Sequence, residues 1–343
     1  MSAPFDSPQQ LQAAFVDGLR QMLDAPGLGA TILVLANASF DAAIFARLRE
    51  PLRQRFEADA ARIRAAFGDG HEVDEAADDL LVFLKLMVLG FDGIAGTQRR
   101  RVGDWELQFN LLRAFRPKRL SGSISAGIQV PFNADGFHFN KPFLRAETFW
   151  SGAIGGHSVD LLYNKFPFVE SHGLLVPDRE QCQPQYLTQD YHHFAWELAA
   201  ELGETLPGVG FAYNSYGAFA SVNHLHLQMF MRAQPLPIME AHWRHNGGTD
   251  DYPAACEVFD QPLDAWTFIA SLHDNTQPYN LLYLPGRLLC VPRARQGSYE
   301  QPAWTAGFAW YEMFGGAMAF NRGDYQALDG DTIAAELARV GVV

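Results

Sequence analysis

Tyr213-Asn214-Ser215-Tyr216-Gly217-Ala218-Phe219-Ala220-Ser221-Val222-Asn223-His224-Leu225-His226-Leu227-Gln228 carries two kinds of order at once. Over 222–231 polar and apolar residues alternate, the period of a strand with one buried face. That spacing predicts His224, His226 and Gln228 on one side, with Leu225, Leu227 and Met229 packed into the core on the other. A pair of histidines two apart is a weak signal alone, because buried histidines are commonly just hydrogen-bonded. The approach to the pair adds to it. Asn214-Ser215-Tyr216-Gly217-Ala218 is a turn of small residues whose backbone N–H groups can come close to an anion. An imidazole with an ordinary pKa of about 6.5 is largely neutral at pH 7 and can attack an electrophilic phosphorus. The phosphoramidate so formed is reactive enough for a second acceptor to cleave it.

Outward from this stretch, 210–214 reads as a strand. A helix is predicted over 184–206, where Tyr191, Phe194, Ala195, Leu198 and Leu202 keep helical spacing and Pro207-Gly208 stops it. Short runs broken by Gly, Pro and Asn predict strands over 127–130, 137–140, 148–149, 159–164 and 173–176. Downstream come a helix over 262–273, strands over 279–284 and 287–292 joined at Pro285-Gly286, and a helix over 332–340. The first hundred residues are helical in pattern. Ser7-Pro8 opens a helix through Leu11, Phe15, Leu19 and Met22, and others are expected over 41–67 and 80–89, with acidic 72–79 as a solvated surface or linker. The expected organisation is a helical region 1–100, a catalytic half 101–245 and a second half 246–343. The expected fold class is α+β, a mostly antiparallel sheet with packed helices.

A chain of 343 residues that is 48% hydrophobic can bury a large core. Its net charge of −13 argues against nucleic acid or an anionic membrane as partner, since both need clustered positive charge. A small anion needs only a few converging cations, and lysine occurs only at Lys85, Lys118, Lys141 and Lys165. Cys182, Cys256 and Cys290 lie too far apart for a CxxC zinc site and read as reduced thiols. The N-terminus lacks a basic stretch followed by an apolar one. The most apolar run, 80–90, contains Lys85 and falls short of the roughly 20 residues of a membrane span. The cytoplasm is the expected location.

The stretch 221–228 resembles the histidine-triad signature with its last histidine replaced by glutamine. That replacement marks the superfamily's transferase branch, which includes galactose-1-phosphate uridylyltransferase, diadenosine tetraphosphate phosphorylase and the GDP-hexose phosphorylases. The stretch 213–228 is similar to the motif of GDP-L-galactose and GDP-D-glucose phosphorylases nearly residue for residue. Gly103-Asp104-Trp105-Glu106, Phe137-His138-Phe139-Asn140-Lys141, the run 164–177 from Asn164-Lys165-Phe166-Pro167, and Tyr279-Asn280-Leu281-Leu282 followed by Leu289-Cys290-Val291-Pro292-Arg293 fall in the same family's order. The likeness covers roughly 103–324 and fits the helical N-terminal region poorly.

The resemblance implies a histidine-triad-like, two-part architecture like that of the uridylyltransferase, and a nucleotidyl transferase with His226 as nucleophile. His224 would orient His226 or contact phosphate, and Gln228 would donate its amide N–H to a non-bridging oxygen. Asn214, Ser215, Gly217 and Ser221 would cradle phosphate, an ordinary hairpin turn being the rival account. Lys141 and Lys165 would neutralise a second phosphate or stay solvated. Asn164 would bind ribose, and Phe166 or Phe168 would line the base pocket. The expected substrates are a GDP-hexose-like nucleotide sugar and inorganic phosphate. A dinucleoside polyphosphate is the alternative donor, and a non-catalytic nucleotide sensor the alternative in kind. No cofactor or structural metal is expected, magnesium with the nucleotide stays open, and a homodimer is compatible.

Overall fold

The structure, a computed structural model, describes residues 4–116 and 127–342. Helix α1 (Pro8–Met22) starts as its sequence predicts. The Ser7 side chain accepts from Gln10 N–H, and Leu11, Phe15, Leu19 and Met22 are buried. Helix α2 (Leu28–Phe40) has no counterpart in the sequence reading: nearly every residue is buried, so it has no polar face and no helical period to detect. Helices α3 (Ala42–Gly68), capped by Asp41, and α4 (Ala77–Leu89) complete a layer that packs on Tyr163 and Phe166. The acidic 72–79 segment is not simply solvated. Glu75 accepts from Leu28 N–H (2.9 Å) at the positive end of α2 and from Arg62 (2.6 Å), and Asp79 pairs with Lys165 (2.6 Å).

Strands β1 (Gln98–Val102) and β2 (Trp105–Phe109) form a hairpin, followed by the short helix α5 (Leu111–Phe115). Next come β3 (Thr148–Ile154), β4 (His157–Tyr163), β5 (Gly173–Pro177), α6 (Gln189–Thr205), β6 (Val209–Asn214) and β7 (Leu227–Met231). The rest comprises β8 (Glu257–Phe259), α7 (Pro262–Asp274), β9 (Tyr279–Leu284), β10 (Arg287–Pro292), α8 (Trp310–Met313), β11 (Gly316–Ala319), α9 (Arg322–Ala327) and α10 (Gly330–Val340). One eight-stranded sheet, ordered β3-β4-β5-β7-β6-β9-β10-β8, is antiparallel at every junction, so strands from 101–245 and 246–343 share it. Strand β11 joins β2 in parallel in a separate three-stranded sheet.

The two faces of the large sheet are packed differently. Leu161, Leu175, Phe211, Leu227, Met229 and Leu281 face α6 and α7. On the opposite face Ala212, Phe230, Leu282 and Val291 meet Trp310 and Tyr311, while Leu162 and Val176 meet Phe139, Leu144 and Val222. The seam between these two clusters holds the histidines.

Three expectations are corrected here. Neither 127–130 nor 137–140 is a strand: the carbonyls of Val130 and Pro131 accept from Asn223 Nδ2 (3.1 and 2.8 Å), and Phe139 N–H donates to His224 Nδ1 (3.1 Å). Backbone groups that a strand would give to a neighbouring strand go to side chains instead. Strand β7 starts at Leu227, so His224 and His226 lie on its approach, where Leu225 N–H donates to the Gln183 carbonyl (2.8 Å). Helix α6 starts at Gln189, capped by Thr188, because the residues before it bond to the histidine segment. No helix among the described residues is long and apolar enough to cross a membrane.

Candidate active site

His226 is buried and stands edge-on to Phe139, ring centroids 5.1 Å apart. Its Nδ1 lies 2.8 Å from the His224 carbonyl, which can only accept, so the proton sits on Nδ1. Nε2 then carries a lone pair, and it has no hydrogen-bond partner among the described residues. Burial pulls this imidazole down to about 4, against the bond to the His224 carbonyl, which pulls the other way. At neutral pH His226 is an uncharged base with its tautomer fixed by the backbone.

His224 is oriented in the opposite sense. Its Nδ1 accepts from Phe139 N–H, so Nε2 carries the proton, and that atom is buried without a partner. Burial, and then repulsion from His226, hold it at about 4. Gln228 Oε1 receives two donors, His172 Nε2 and Trp310 Nε1, both at 2.9 Å. The Gln228 amide nitrogen makes no bond within the described residues.

Gln185, buried on the segment before α6, clamps the histidine backbone. Its Oε1 accepts from His226 N–H (2.9 Å), and its Nε2 donates to the carbonyls of His226 (3.1 Å) and Asn214 (3.0 Å). Asn223 Oδ1 accepts from Gln185 N–H, and Tyr213 hydroxyl donates to the Gln185 carbonyl. Nothing local in the sequence marks Gln185, His172 or Trp310 as a group, because 185, 172 and 310 meet only through the sheet. Arg113 was also missed; its guanidinium lies 4.5 Å over the Phe168 ring and donates to the Phe166 carbonyl. Burial, then repulsion from Arg116, lowers it to about 9.

The other anticipated residues divide. Asn214 Oδ1 is occupied by Asn280 Nδ2 (2.6 Å) and Trp310 N–H (3.0 Å), and Ser215 Oγ by Tyr279 N–H (2.9 Å), so both tie the turn to β9. Gly217 takes φ +85°, where a Cβ would be strained, and Ser221 is exposed. Asn164 Oδ1 accepts from Phe166 N–H, and its amide nitrogen lies 3.2 Å from His172 Nε2. Lys165 is turned away to Asp79 on α4, whereas Lys141, half-exposed beside Asn140, makes no ion pair among the described residues. Phe166 and Phe168 are buried, the first against the helical layer and the second under Trp310 (5.5 Å). Among the described residues, one group of side chains could hold a cation: Asp104, Glu240 and His242, whose ligand atoms lie within 4.8 Å of one another. Arg101 already pairs with Glu240 (2.7 Å), and none of the three belongs to the histidine seam.

Known proteins share this fold. Over 78% of its length the chain superposes on yeast Ap4A phosphorylase Apa2 (TM-score 0.52, 17% identity, 95% of that chain) and on the same protein in complex with Ap4A (TM-score 0.51, 18% identity, 98% of that chain). The chain shares the fold of that protein. Within the chain, residues 107–230 match the family model of the GDPGP1-like N-terminal domain. GDP-D-glucose phosphorylase 1 of Danio rerio is 34% identical over 122 residues, 35% of this chain and 34% of that protein. GDP-L-galactose phosphorylase 1 of Arabidopsis thaliana is 38% identical over 78 residues, 23% of this chain and 17% of that one. The chain thus matches about a third or less of the length of these relatives, and the stretch that matches the family model contains both histidines.

Proposed function

We propose that the chain is a nucleotidyl transferase acting on a nucleoside diphosphate hexose, GDP-hexose in the first place. His226 Nε2 attacks the α-phosphorus, forming a P–N bond as the bond to the departing hexose 1-phosphate breaks. Inorganic phosphate then attacks the same phosphorus, the P–N bond breaks, and the nucleoside diphosphate leaves. What carries this reading is the tautomer of His226: the Nδ1–H bond to the His224 carbonyl leaves Nε2 basic, neutral and without a partner among the described residues. Gln228 suits a non-bridging oxygen as a donor that carries no labile charge. Lys141 is the lysine disposed to meet a second phosphate, and Lys165 supports the fold beside α4. The likeness to GDP-D-glucose and GDP-L-galactose phosphorylases supports the choice of donor. Neither displacement needs a protein-bound metal, so magnesium would arrive with the nucleotide. Three free cysteines suit a cytoplasmic protein, and the reaction needs one chain, with a homodimer compatible.

GDP-glucose, ADP-glucose and diadenosine tetraphosphate, each with and without phosphate, test this by product chromatography. Phosphate-dependent release of GDP and glucose 1-phosphate is expected. Turnover of diadenosine tetraphosphate alone would move the donor to dinucleoside polyphosphates, and binding without turnover would make the chain a sensor. His226→Ala is expected to abolish product and the acid-labile protein label formed from α-phosphate-labelled donor; unchanged turnover would sink the mechanism.

A further inference from the structure

Gln228 can present a phosphate with either a carbonyl or an NH2, and the two differ in sign at a phosphate oxygen. Which one faces outward is decided by what holds the other. Trp310 Nε1 lies 2.9 Å from Oε1, and an indole N–H only donates, so that atom is the amide oxygen. His172 Nε2 lies 2.9 Å from the same atom.

The proton on His172 follows from its neighbours. Its Nδ1 faces Phe168 N–H at 3.3 Å and must accept there, which leaves the proton on Nε2, pointing at Gln228. The opposite tautomer would accept from the Asn164 amide, 3.2 Å from Nε2. It would also set N–H against N–H at Phe168 and a lone pair against the Gln228 oxygen. One contact would be gained and two lost. A charged His172 would clash with Phe168 N–H in the same way. His172 is fully buried, with Phe168 (4.4 Å) and Trp310 (6.4 Å) rings against it. Burial first, then the positive charge of Arg113, hold it near 3.

We infer that His172 and Trp310 are positioning residues that together lock the Gln228 amide with its NH2 outward, making it an obligate donor at the phosphate. The inference rests on the proposed role of Gln228 in nucleotidyl transfer. It assigns a purpose to a buried histidine that takes no part in the two displacements. Neither residue touches the reacting atoms; each supplies one N–H to the same oxygen, and losing either loosens the amide. A flipped amide would both remove a donor from the phosphate and aim a lone pair at it.

The test separates positioning from proton transfer. In His172→Gln the amide nitrogen occupies roughly the place of Nε2 and still donates, so kcat with GDP-glucose and phosphate is expected within about threefold of wild type, with the same pH profile. His172→Leu has no donor, and kcat is expected to fall about a hundredfold, in line with the loss of a preorganised donor. Trp310→Phe, which keeps a ring on Phe230, is expected to fall about tenfold and decides the matter should His172→Leu not fold. His172→Gln as inactive as His172→Leu at equal melting temperature would make His172 a proton carrier and overturn the inference, as would full kcat in Trp310→Phe. In 15N-histidine spectra His172 is expected to keep a protonated Nε2 and bare Nδ1 from pH 5 to 8, and a charge change there would overturn the lock. That measurement stands even if wild type turns over none of the nucleotides, a result that would sink the proposed function alone.

Discussion

Replacing Gln185 with leucine should expose how much of the site is held by one side chain. Leucine is close to glutamine in volume, so the change removes polarity with little cavity. Three bonds disappear, at 2.9, 3.0 and 3.1 Å, and His226 N–H and the carbonyls of His226 and Asn214 lose a buried partner. An unsatisfied buried polar group costs about 1–3 kcal/mol, and backbone relaxation lets one of the three find a substitute. A loss of about 3–5 kcal/mol in unfolding free energy is expected. Urea unfolding followed by tryptophan fluorescence measures the total, and native-state hydrogen exchange at the His226 amide measures the local part. With the His226 backbone released, Nε2 loses its aim and turnover should fall more than about tenfold. A loss below about 1 kcal/mol with the His226 amide still protected would refute the clamp.

Acid should destabilise the protein through its buried neutral histidines. His226 is near 4 when folded against about 6.5 unfolded, so its contribution is complete above pH 6.5 and lost as pH falls towards 4. His226→Asn should therefore narrow the stability gap between pH 7 and pH 4.5 by about 2 kcal/mol, and an unchanged gap in urea titrations would contradict the depressed value. Glu312 behaves oppositely: burial raises it to about 7 against the pull of Arg113, so its cost grows as pH rises from 4.5 to 7. Glu312→Gln, which can still accept from Ala309 N–H, should stabilise by about 2 kcal/mol at pH 8 and by nothing at pH 4, and equal effects at both would count against it. At Gly208, φ is +82° and a Cβ would fall 1.9 Å from the Arg232 carbonyl, on a segment held close because Arg232 N–H donates to the Gly208 carbonyl (2.9 Å). Gly208→Ala should cost about 3 kcal/mol or more, and a melting temperature equal to wild type would show that the β6–β7 pairing can yield.

Much of the frame is legible in the sequence where local pattern and tertiary role agree. The runs over 173–176, 279–284 and 287–292 become β5, β9 and β10 nearly to the residue, because each is short, apolar and bounded by breakers. That His224, His226 and Gln228 share a side is legible too, since alternation puts Leu225, Leu227 and Met229 under α6. Alternation fails where polar side chains intercept the backbone, as Asn223 and His224 do for 130–139. It fails again at α2, which is buried all round. His172, standing alone in the sequence, shows its purpose only once β5 lies beside β7 and places it against Gln228. Lys165 reads as a cation for phosphate, but its partner Asp79 sits on a helix that no local pattern connects with it.

The bond from Trp310 to Gln228 joins two distant parts of the chain. A fragment covering 107–230 holds both histidines and Gln228, yet lacks one of the two donors that give that amide its polarity and lacks Asn280, which steadies Asn214. Such a fragment has the motif without its sense of direction. During synthesis His226 leaves the ribosome well before Trp310, which completes the surroundings of Gln228. The hydrogen bonds around Gln228 and Asn214 are complete only when the C-terminal part has folded onto the histidine segment.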